Sequence, residues 1–161
     1  MNYKVHNRKL LLSNSLFAFT LWLFYVLLSF ILVGKAMLTS HGIVMILNSF
    51  VFSFTSLTLA FFIGNLISNK EAISGIVNVI ALGSSFLCGA FVPMEFLPDF
   101  VITISHILPS YYYISNNEMV KTLEIISLES LQPFFINIGM MLLFSLLFIV
   151  LTNIVTKRKS S

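Results

Sequence analysis

Side chains able to do covalent or metal chemistry are few and scattered in this chain. His6, His41 and His106 stand far apart, with no H-x-x-x-H or H-E-x-x-H spacing to set two imidazoles on one helix face around a metal. Cys88 is the single cysteine, so no internal disulfide can form, and it reads as a small apolar packing residue. No G-x-x-x-x-G-K-[ST] stretch occurs, so no loop of that kind cradles a nucleotide phosphate. The acidic residues avoid the spans identified below. That argues against a buried proton relay, a carboxylate-coupled carrier and an intramembrane protease built on paired carboxylates. The expectation is a protein that is not an enzyme and holds no cofactor and no metal.

Small and amide side chains at helical spacing remain. Ser49, Ser53, Ser56, Ala60 and Gly64 recur at intervals of 4, 3, 4 and 4 residues. Gly75, Asn78, Leu82, Ser85 and Gly89 recur at 3, 4, 3 and 4, with Leu82 the one bulky member. In lipid no hydrophobic force drives helices together, so small faces that allow close approach do that work. These two faces read as helix-packing surfaces or as the lining of a path between two copies. Asn78 leads among the polar candidates, followed by Asn48 and Asn137, because an amide inside a membrane needs a hydrogen-bonding partner.

The elements that carry these residues are set by composition. Of 161 residues, 58% are hydrophobic and 9% charged, against about 25% charged in ordinary soluble domains. The mean hydropathy is +0.98. Uncharged runs cover 10–34, 36–69, 72–94, 100–117 and 130–156, each reaching the roughly 18–20 residues that cross a bilayer core as helix. This predicts an integral, multi-pass, all-α membrane protein. The first run exceeds the apolar stretch of a signal peptide and has no A-x-A site after it, so it reads as a retained span. Spans are placed at about 12–33, 42–67, 72–91 and 133–155, with a short loop at Ala36–His41 and a turn at Ser68–Glu71.

The run 100–117 is not counted as a span. It would hold His106 and Pro109 near its middle and end in Ser115-Asn116-Asn117, and proline frees a carbonyl that lipid cannot satisfy. Charge parity agrees. With four spans, Lys4, Arg8, Lys9, Lys70, Lys157, Arg158 and Lys159 share one side, seven of the nine basic residues. Lys35 and Lys121 lie on the other with Glu95, Asp99, Glu118, Glu124 and Glu129. By the positive-inside bias both termini are cytoplasmic, and the net charge of +3 is a topology signal, not a nucleic-acid footprint. Residues 93–130 then form an outer re-entrant or interfacial segment. There Pro98 opens a short helix, Leu97, Phe100, Val101, Ile104, Ile107 and Leu108 form its apolar stripe, Pro109 ends it, and Tyr111-Tyr112-Tyr113 sits at the headgroup level.

The segment Cys88-Gly89-Ala90-Phe91-Val92-Pro93, then Leu97-Pro98, then Ile107-Leu108-Pro109-Ser110-Tyr111-Tyr112 resembles the "(S)G-x-x-x-P … L-P … L-P-x-x-Y" pattern of ABC-2 type exporter permeases. The motifs are loose, and the resemblance covers nearly all of the chain. It implies short re-entrant helices at the outer mouth of a translocation path, carried here by Gly89, Phe91, Pro93, Leu97, Pro98, Pro109, Tyr111 and Tyr112. It also implies a cytoplasmic ABC ATPase partner, docking at the basic lead-in and near Asn69–Glu71, and a second permease copy or a complementary permease fragment. Family permeases usually carry six spans, and these four resemble the last four, with residues 2–15 as the remnant of the preceding cytoplasmic loop. The rival class is a non-transporting four-span protein, such as a bacteriocin-immunity or scaffold component.

Topology is directly measurable. Single cysteines at positions 121 and 158 in whole cells should show labelling from outside at 121 and protection at 158; the reverse pattern refutes the four-span arrangement.

Overall fold

The computed structural model describes residues 3–159, with side chains from 13 to 158. The side chains of Lys4, His6, Arg8, Lys9 and Lys159 lie outside the described residues. Every regular element among the described residues is helical. The long helices are α1 (Tyr3–Val33), α2 (Ser40–Leu66), α3 (Lys70–Leu87) and α6 (Gln132–Lys159). Between α3 and α6 lie two shorter ones, α4 (Asp99–Ser105) and α5 (Pro109–Thr122). Four helical stretches are long and apolar enough to cross a membrane: Ser13–Leu38, Ser40–Leu66, Lys70–Leu87 and Gln132–Arg158. The protein is an all-helical membrane bundle with a helical hairpin, α4–α5, at one end.

Local chemistry sets the boundaries. Gly34 takes the left-handed φ of +66° that ends α1. A 3₁₀ turn at Gly34–Leu38 then takes up the first half of the expected loop, and Thr39 caps α2 by accepting from the Gly42 N–H at 3.3 Å. α2 starts against this turn so closely that a Cβ on Gly42 would lie 2.6 Å from Met37 Cα. Asn69 caps α3, accepting from the Glu71 and Ala72 N–H groups at 2.8 and 3.3 Å. α3 stops at Leu87, four residues before the expected 91, because Gly89 turns left-handed (φ +93°). The carbonyl of Ser85 then accepts from Ala90 and Phe91.

The core lies among α2, α5 and α6. On α5 the buried residues Pro109, Tyr112, Asn116 and Val120 recur at intervals of 3, 4 and 4, one face of a helix. Val51, Tyr112 and Met141 form one apolar cluster, and Val120, Leu131 and Phe134 a second. The run 100–117 therefore does more than lie at an interface. Pro109 ends the α4 turn and also opens a helix that inserts between two spans. Lower in the bundle, Ser145 Oγ donates to Thr55 Oγ1 at 3.0 Å, and Thr55 Oγ1 donates to the Val51 and Met141 carbonyls, clasping α2 to α6. α1 packs chiefly on α2, and α3 touches α2, α4 and α5; α3 buries only Ser84. On α4 the stripe divides: Val101 is half-buried, whereas Phe100, Ile104 and Ile107 face out of the chain and Ser105 is the buried residue.

Two glycines of α2 should behave oppositely. Gly42→Ala meets backbone and should cost roughly 1–3 kcal/mol. Gly64→Ala meets nothing within 4 Å and should gain up to about 1 kcal/mol from helix propensity. Thermal unfolding in detergent should rank Gly64→Ala above wild type and Gly42→Ala below it.

Candidate functional site

The hairpin end of the bundle is built around breakers. A Cβ at Gly89 would sit 2.6 Å from Met94 Cγ, and its φ of +93° admits no other residue without strain. Phe91 returns onto Phe86, with ring centres 4.9 Å apart. The Pro93 carbonyl accepts from Phe96 at 3.0 Å, closing a tight turn. Leu97 is half-buried and Pro98, exposed, leads into α4. Tyr111 packs on His106 at 4.0 Å, and Tyr112 is buried, donating its hydroxyl to the His106 carbonyl at 3.0 Å. Burial raises the Tyr112 phenol above its ordinary pKa, with Tyr111 adding to the effect, so it stays a neutral donor.

Four amides lock α5 in place. Asn48 and Asn116 are fully buried. Asn48 Nδ2 donates to the Tyr113 carbonyl and to Asn117 Oδ1, both at 2.9 Å. Asn116 Nδ2 donates to Asn48 Oδ1 at 3.0 Å and to the Phe134 carbonyl at 3.3 Å. Asn137 Nδ2 donates to Asn116 Oδ1 at 2.8 Å. At the far end of α5, His41 Nε2 meets the Leu123 carbonyl at 2.8 Å, satisfying an acceptor that the helix end leaves open.

Two grooves flank α2 beneath this hairpin. The first, between α1 and α2, has a volume of about 750 Å³ and is lined by the predicted Ser49, Ser53, Ser56 and Gly64 together with Trp22 and Tyr25. Trp22 Nε1 donates to Ser49 Oγ at 3.0 Å. The second, between α2, α3 and the α4–α5 junction, holds about 550 Å³ and takes in Ser84 and Ser85. Phe52, Ser56, Ala60 and Tyr113 line both. The i, i+4 row 52–56–60 is thus a ridge between them, and Tyr113 roofs both by stacking on Phe52, with ring centres 4.4 Å apart and planes 11° from parallel. Burial raises the Tyr113 phenol, partly offset by Asn117, while Tyr25 from α1 adds to the rise. Among the described residues no charged side chain lines either groove, and no cluster of three metal-ligating side chains occurs.

The structure thus gathers Ser49, Ser53, Ser56 and Gly64 in one groove and places Ser85 in the other, whereas Gly75 and Asn78 face out of the chain. Of the amides singled out in the sequence, Asn48 and Asn137 join the network and Asn78 does not. Sequence reasoning missed Asn116 and Asn117 as partners, and missed Trp22, Phe52 and Tyr113 as groove residues. The available signal was Asn116, four residues after Tyr112 and four before Val120 and so on their helical face, with Asn117 beside it.

The four long apolar helices thus carry a docked helical hairpin above two grooves that no charged side chain lines among the described residues. The chain matches the family described as ABC-2 family transporter protein over residues 3–154, and it belongs to that family. Its role is that of a permease membrane domain, which is not itself catalytic; such domains typically work with an ATPase partner. Neither the curated proteins nor the solved structures provide a match.

Removing one member of the amide set should cost more than removing its apolar equivalent. Asn116→Leu strands Asn48 Oδ1 and Asn137 Nδ2 and should lose roughly 1–3 kcal/mol. A combined Asn48→Leu, Asn116→Leu, Asn137→Leu variant should lose less than the summed single variants, because the three amides no longer strand one another. Detergent unfolding of the full set checks this; strict additivity refutes a coupled network.

Proposed function

We propose that the chain is the membrane-spanning unit of an ATP-driven exporter that moves its substrate outward, with both termini cytoplasmic and Lys35 and residues 93–130 outside. The observation that carries this reading is the docked hairpin. α5 closes the hairpin end of both grooves, while the first groove extends along α2 as far as Asn65. A helix of 14 residues built on Pro109 is a closure at one face of the membrane, not a fifth crossing. The distribution of basic residues supports placing that face outside.

Energy enters through a separate cytoplasmic ABC ATPase, docking at the basic lead-in before the first span and at the α2–α3 turn, where Asn69, Lys70 and Glu71 are exposed. A second permease copy or a complementary permease fragment covers α3. Supporting this, Gly75 and Asn78 lie on an open face, and an amide turned to hydrocarbon alone is costly. Gly89, Phe91, Pro93, Leu97, Pro98, Pro109, Tyr111 and Tyr112 hold the outer closure in shape.

The test is Ile104→Asp in the transporter reconstituted with its ATPase. Ile104 is 48% exposed on α4, beside Phe100 and Ile107, and a carboxylate there should cost up to roughly 2–3 kcal/mol, less near the interface. Export should fall while membrane level and the four spans persist. Unchanged export at unchanged membrane level would show that the hairpin is only a connector.

A further inference from the structure

The α1–α2 groove has the size and chemistry of a binding site. Its volume of about 750 Å³ lies within the roughly 300–1,000 Å³ of small-molecule sites. Ser49 and Asn65 mark its length along α2, about 24 Å at 1.5 Å per residue. Polar groups gather at the two ends: Trp22, Tyr25, Ser49 and Tyr113 under the hairpin, Asn14 and Asn65 at the opposite end. The walls between are aromatic and aliphatic, relieved by Ser53 and Ser56. Among the described residues no Asp, Glu, Lys or Arg reaches it, so a charge entering would lose hydration and meet no counter-charge.

We propose that this groove binds an uncharged, amphipathic, drug-sized molecule, with its polar group against the Tyr25–Tyr113–Ser49 end and its apolar body along the Phe52–Ser56–Ala60 ridge. A bare acyl chain makes no use of the hydrogen-bonding ends. The inference deepens the permease reading by supplying a substrate class, but binding needs neither ATPase nor flux. Binding retained without export counts against the permease reading alone.

Trp22 is the only tryptophan in the chain and lines the groove, so its emission reports occupancy. The chain is placed in phosphatidylcholine nanodiscs and titrated with uncharged Nile red or with cationic rhodamine 6G, dyes of similar size. Nile red should quench Trp22 saturably and rhodamine 6G should not. Ala60→Leu with Gly64→Leu fills the groove, since a Cβ at Gly64 meets nothing within 4 Å, and should weaken the response about tenfold or more at a Tm no lower than wild type. If that variant unfolds, Ser53→Leu serves instead.

Four outcomes overturn the proposal. The first is the absence of a saturable component, and the second is equal Nile red affinity in a folded, filled variant. The third is complete quenching by brominated-acyl phosphatidylcholine that leaves Nile red no saturable effect, which makes a lipid chain the occupant. The fourth is saturation present with one chain per disc and lost with two, which makes a second copy the occupant.

Discussion

A carboxamide buried in a lipid-embedded bundle has no water to fall back on, so Asn48, Asn116, Asn117 and Asn137 must satisfy one another or remain a standing cost. They do so across three helices, and the carbonyls of Tyr113 and Phe134 complete the set. α5 could not hold its place without them. Its 14 residues have too little apolar surface to act as a span, and one buried face, Tyr112 to Val120, would leave it free to slide along α2 and α6. Directional bonds fix depth and rotation together, where apolar contacts fix neither sharply.

Once α5 is fixed, the rest of the site follows. Tyr113 is one residue past the buried Tyr112, so seating Tyr112 against Val51 and Met141 turns the Tyr113 ring onto Phe52. That stack roofs two grooves that would otherwise meet over the 52–56–60 ridge. The same carbonyl that accepts from Asn48 belongs to Tyr113, so the roof and the lock share a residue. Gly89 contributes from the other side: its left-handed turn and its contact with Met94 bring the chain back over α3 in time for α4 to lie beside it.

The four long helices were legible because uncharged apolar runs of sufficient length leave few alternatives to a membrane helix; α1 begins at Tyr3, nine residues before the expected 12. Ser49, Ser53, Ser56 and Gly64 were legible as one face for the same reason, since helical spacing alone puts them together. What they face was not, because periodicity says nothing about which neighbour approaches. α5 escaped for a related reason. Pro109 and Asn116-Asn117 bar a lipid-facing span, but those residues are equally at home in a short helix whose polar face meets other helices. The apolar stripe of α4 was read from spacing, yet a helix of 7 residues is oriented by its tethers, and these turn Ser105 inward and leave Ile104 outside.

The bundle is therefore uneven in how firmly its parts are held. α2, α5 and α6 share both apolar clusters, the amide set and the Thr55–Ser145 clasp. Among the described side chains of α1 only Val26 is buried, and α1 meets the hairpin end through Trp22 on Ser49 and Phe50 and through Tyr25 beside Tyr113. Both of those contacts lie at the hairpin end of the first groove, and below them α1 and α2 are separated by the cavity itself. A displacement that widens the groove thus has one seam to open, between α1 and the locked trio, and it breaks the Trp22–Ser49 hydrogen bond there. Because Tyr113 sits on both sides of that seam, stacked on α2 and touching α1, release of α1 also frees one side of the roof.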